Sequence, residues 1–105
     1  MKKFRTIFIL SATHNFTPVA KYAENIQFLL EGEEKPEEIS AAIERKLENF
    51  DPANCAIIPV GKVTSCLILG IKLAAKFPSQ KFWVGYFVKG GNSQKDYVWK
   101  QIGAI

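Results

Sequence analysis

Two short stretches carry the residues best equipped for chemistry. The first, Ser11-Ala12-Thr13-His14-Asn15-Phe16, gathers hydroxyl, amide and aromatic groups around the only histidine of the chain. An imidazole titrates near neutral pH, so His14 suits a hydrogen-bond or charge partner for a ligand, or a general base. Phe16 offers a face on which a nucleobase gains ~1–3 kcal/mol by stacking. The second stretch is Gly61-Lys62-Val63-Thr64-Ser65. Gly61 permits a tight or positive-φ turn, and Thr64 or Ser65 can cap a helix whose first amides lack intrahelical partners. Those amides, the Lys62 ammonium and the two hydroxyls together make an anion site of the kind found where a parallel strand passes into a helix. The plain alternatives are a histidine that caps a turn and a solvated lysine.

Other chemistries fit less well. Gly61-Lys62-Val63-Thr64 lacks the glycine-rich loop of a Walker motif, and no dinucleotide fingerprint of spaced glycines occurs. One histidine and two cysteines without ligand spacing argue against zinc. No acid stands near His14 in sequence to orient it; Glu24 or Asp96 would have to reach it through the fold. Binding is therefore favoured over turnover, and no catalytic residue, metal or cofactor is assigned. Cys66, just inside a helix start, is open to activation by the helix dipole, but its apolar neighbours favour an inert thiol. Cys55 and Cys66 are expected to stay reduced.

The elements that must position these stretches follow from hydrophobic patterning. Phe4–Ser11 is a nearly unbroken apolar run, the mark of a strand covered on both faces. A short helix is expected over Pro18–Asn25, with Thr17 as cap and Pro18 at its first position. Ile26–Leu30 reads as a second strand. A second helix is expected from Pro36 to Phe50, with Ile39, Ile43, Leu47 and Phe50 on one stripe. Cys55–Val60 is the third strand, closing near Pro59. Ser65–Lys76 is a helix apolar on most sides, which implies deep burial or a subunit interface. Lys81–Val88 and Asp96–Ile102 form a terminal hairpin, in which Tyr97 and Trp99 share a face that Tyr86 can join.

The order β-α-β-α-β-α-β-β predicts one small Rossmann-like α/β domain: a three-layer sandwich, mostly parallel, with strand order 2-1-3-4-5 and an antiparallel C-terminal hairpin. Strands one and three then end side by side, and the two polar stretches face each other at the switch point.

Charge sharpens the picture. Residues 31–51 hold eight acids against three bases, a net −5, while the rest of the chain carries +9. A basic body bearing one acidic helix suits an anionic partner. The apolar start after Met1-Lys2-Lys3 is too short for a signal peptide, and no run reaches the ~20 residues of a membrane span. A soluble cytoplasmic protein is the expectation.

Ile9-Leu-Ser-Ala-Thr-His-Asn-Phe-Thr-Pro18, Ile26-Gln-Phe-Leu-Leu-Glu-Gly32, the apolar strand ending at Gly61 and the closing Tyr97-Val98 strand resemble small phage-encoded proteins of the counter-defence type. The layout is also similar to small Rossmann-like ring nucleases and sensor domains of CRISPR systems. Asn15 stands where the phage proteins carry an acid. The resemblance implies a nucleotide-derived signalling ligand and a host-defence context. The residues expected to bind that ligand and sequester it uncleaved are Ser11, Thr13, His14, Asn15, Phe16 and Gly61 to Ser65, in a homodimer or higher homo-oligomer with neither a membrane nor nucleic acid expected as partner. A metal-independent ring nuclease, and an interaction protein that uses its basic surface, are the alternatives.

Overall fold

The structure is a computed structural model that describes residues 3–11, 17–89 and 95–103. Five strands, β1 (Phe4–Ser11), β2 (Ala23–Leu30), β3 (Cys55–Ile58), β4 (Lys81–Lys89) and β5 (Lys95–Gly103), form one sheet in the order β2-β1-β3-β4-β5. Every pairing is parallel except β4 with β5. This is the small Rossmann-like α/β arrangement that the alternation of elements predicts.

β1 organises the core because its apolar run is buried on both sides. Phe8 and Leu10 pack with Ile43, Leu47, Leu69 and Leu73 under the helices. Ile7 and Ile9 face the other way, against Val19, Tyr22, Ala56 and Ile58. Both α-helices, α1 (Pro36–Lys46) and α2 (Val63–Lys76), lie on the first of these faces and are joined by a 3.5 Å ion pair between Lys72 and Glu44. No helix among the described residues is long and apolar enough to cross a membrane.

The second face differs from expectation. Residues Thr17–Tyr22 form a 3-10 helix, not an α-helix over Pro18–Asn25, and β2 begins at Ala23 rather than Ile26. Pairing decides this: β2 runs alongside the whole of β1, from Phe4 opposite Ala23 to Ser11 opposite Leu30. Ladder bonds over that length outweigh the local preference of Ala23–Asn25 for helix. The third layer is thus a single 3-10 segment, helped by aromatic rings.

Those rings gather around Trp99. Its centroid lies 5.0 Å from Phe4, 5.4 Å from Tyr22 and 6.2 Å from Tyr97. Gly85, opposite Trp99 in the hairpin, leaves the space the indole fills. Tyr86 does not join this face. It pairs with Val98, so the pleat turns both toward the helix side of the sheet.

Smaller boundary shifts have local causes. α1 stops at Lys46 and tightens into a 3-10 turn at Leu47–Asn49, short of Phe50. β3 ends at Ile58, before Pro59, which cannot donate to a ladder. Both cysteines are free thiols.

Candidate functional site

The C-terminal ends of β1 and β3 lie next to each other, with Ile9 opposite Ile58. Two residues further along β1, Ser11 is buried and meets the turn that leaves β3. Gly61 in that turn has φ +148°, and a β-carbon placed on it would stand 2.7 Å from Ser11 Oγ. A side chain is excluded twice over here, by conformation and by space. The close approach lets the turn fold onto the strand end.

The helix begins earlier than the Thr/Ser pair suggests. α2 starts at Val63, and its N-cap is Lys62, extended at φ −65° and ψ 144°, with no side-chain cap. Thr64 and Ser65 are therefore first-turn residues and cap nothing. The reason is packing: Ser65 is 3% exposed and lies on the same stripe as buried Leu69 and Leu73, which draws the first turn onto the sheet. The first intrahelical bond that closes is Cys66 N–H to the Lys62 carbonyl. The amides of Val63, Thr64 and Ser65 find no acceptor among the described residues, as expected of an uncapped helix start.

Ser11, Gly61, Lys62 and Ser65 line one hollow of about 90 Å³, together with Leu30, Gly32, Glu34 and Ile39. Its size suits a phosphate-scale group; a whole nucleotide needs ~300 Å³ or more. Val63 and Thr64 are exposed and do not line it. Thr13, His14, Asn15 and Phe16 lie outside the described residues.

Glu34 is the lining residue that sequence reasoning missed, having been counted with the acidic helix face. Its carboxylate accepts the amide hydrogens of Glu31 at 2.8 Å and Gly32 at 2.9 Å. The Glu31 amide foremost holds this carboxyl below its ordinary range, against the opposing effect of partial burial. The charge is thus engaged by the turn after β2. The Glu31-Gly32 turn followed two residues later by an acid was the available signal.

Cys66 stands on the next turn of α2, with its thiol 3.6 Å from the Pro59 carbonyl oxygen. Burial pushes its pKa up, so the helix start does not activate it. Larger hollows lie elsewhere. One of about 480 Å³ sits around Arg5 and Asp51, and one of about 560 Å³ lies between α1 and α2. In them Arg5 pairs with Asp51 at 3.8 Å and Lys72 with Glu44 at 3.5 Å. The Arg5 hollow also lies at the strand N-terminal ends, away from where open α/β sheets bind ligands.

No protein-family model matches the chain, and neither curated proteins nor solved structures give a significant match.

Proposed function

We propose that the domain binds a phosphate group of a nucleotide-derived signalling molecule, of the cyclic nucleotide or ADP-ribose type, and sequesters it unaltered. The observation that carries this reading is the contact between Ser11 and Gly61. It brings the end of β1 against the start of α2, so that Ser11, Ser65 and the exposed Lys62 line one hollow at the uncapped start of the helix. Amides at a helix start, at the positive end of its dipole, favour an anion, and a lysine adds a full charge.

The hollow is small, so the rest of such a ligand would extend over its rim. Selectivity would come from hydrogen bonds along that rim. Sequestration is the reading favoured here: serine and lysine at the corner can hold a phosphate, and the Glu34 carboxylate in the same wall is already taken up by the Glu31 and Gly32 amides. Capture of an immune signal by a phage protein in the host cytoplasm is the setting this reading fits, and it rests on the resemblance of layout.

A thermal-shift and calorimetry screen against cyclic di- and oligonucleotides and cyclic ADP-ribose isomers tests it. One of these should raise the melting temperature and be recovered intact after the protein is heat-denatured. Lys62→Ala should weaken that binding, and His14→Ala should weaken it further. No shift with any of the set overturns the reading. Recovery of a linear product would replace sequestration with ring cleavage.

A further inference from the structure

Six large apolar side chains stand exposed among the described residues: Val63, Leu67 and Ile71 on α2, and Tyr86, Val98 and Ile102 on the hairpin. They are not scattered. Val63, Leu67 and Ile71 are spaced four apart, on the side of α2 opposite the buried Ser65, Leu69 and Leu73. Exposed Gly70 and Ala74 extend this outward ridge without adding a charge.

The hairpin residues belong to the same side of the molecule. Phe82 and Val84 pack into the core beneath the helices, and Tyr86 continues their face of β4. Val98 is paired with Tyr86, and Ile102 with Phe82, so both share it. Five strands ~4.8 Å apart are wider than two helices packed 8–10 Å apart can cover. The helices sit over the β2, β1 and β3 side, and the outer hairpin is left open beside α2.

We propose that a second copy of this chain covers this side, related by a two-fold axis, with the α2 ridge of each protomer seated on the open β4–β5 face of the other. A ridge next to a step of one helix height is self-complementary under such an axis, which is the requirement of an isologous interface. Area supports it. With residue areas of ~150–250 Å², the exposed fractions of the six side chains amount to roughly 600 Å² per protomer. The pair then buries about 1,200 Å², the lower bound of stable interfaces, before backbone and polar rim are counted.

This surface adjoins the hollow at Ser11 and Lys62 only at Val63, and its test needs no ligand. Sedimentation equilibrium of the full chain over a wide concentration series should give twice the chain mass. Leu67→Glu and, separately, Ile102→Glu should each raise the dimer dissociation constant by about 30-fold or more, the loss of one hot-spot side chain. Both positions are exposed, so far-UV circular dichroism should stay unchanged. A monomer at every concentration, or a dimer indifferent to either substitution, overturns the proposal. So does a monomer that co-sediments with phosphatidylserine vesicles through Leu67, which would make the patch a membrane contact.

Discussion

The hydroxyl of Ser11 occupies the place beside Gly61 where a β-carbon would stand, with 2.7 Å between the two positions. Strand end and helix start touch through the absence of a side chain. Any residue but glycine would push the turn off β1 and open the corner that the proposed ligand site needs.

Gly61→Ala is accordingly expected to destabilise the fold by about 2–4 kcal/mol, from the strained backbone and from crowding. Urea unfolding measures it. Adding Ser11→Gly should recover about 1 kcal/mol by removing the clash while leaving the backbone cost, a coupling a double-mutant cycle will read. If Gly61→Ala alone is neutral, the packing described here is wrong.

Gly85 poses the same question within the sheet. A β-carbon there would come 2.4 Å from the Trp99 ring. Gly85→Ala should cost about 1–3 kcal/mol in the native protein and far less in a Trp99→Ala background. Trp99→Ala itself should cost about 3–5 kcal/mol. Trp99→Phe should be milder, because the indole N–H is buried without an acceptor among the described residues.

The Glu34 carboxyl makes acid stability informative. Its folded pKa lies below the ordinary 4.5 because the Glu31 amide, foremost, favours the charged form. Its contribution is therefore complete above the unfolded value and lost as pH falls through the folded one. Glu34→Gln should lower the melting temperature at pH 7, and the gap to the native protein should close as pH drops from about 4.5. A gap that stays constant with pH would assign Glu34 no such role.

Cys66 provides a check on the helix start. With its thiol pKa raised by burial, alkylation by iodoacetamide at neutral pH should be slower than that of a free cysteine. Rapid labelling would mean that the dipole of α2 governs the thiol after all.

Much of this molecule is readable from residue order. The apolar run Phe4–Ser11, the stripe Ile39, Ile43 and Leu47, and the β-rich Lys81–Val88 segment determine elements by periodicity alone. Alternation of those elements points to a parallel sheet with right-handed crossovers, for which 2-1-3-4-5 is a common order and the one observed. That Ser11 and Gly61 meet follows from that order, which sets the ends of β1 and β3 side by side.

Choices that depend on distant partners were not readable. Ala23–Asn25 joins a strand because β1 is there to pair with. α2 starts at Val63 because Ser65 is drawn into the core, and Tyr86 parts from Trp99 because the hairpin register places it opposite Val98. The turn that Glu34 closes through the Glu31 and Gly32 amides was legible, but not that it borders the start of α2. The outward aim of Val63, Leu67 and Ile71 was hidden within a helix apolar almost all round. Sequence determined that α2 is greasy, and only packing against the sheet decided which of its apolar sides was left over.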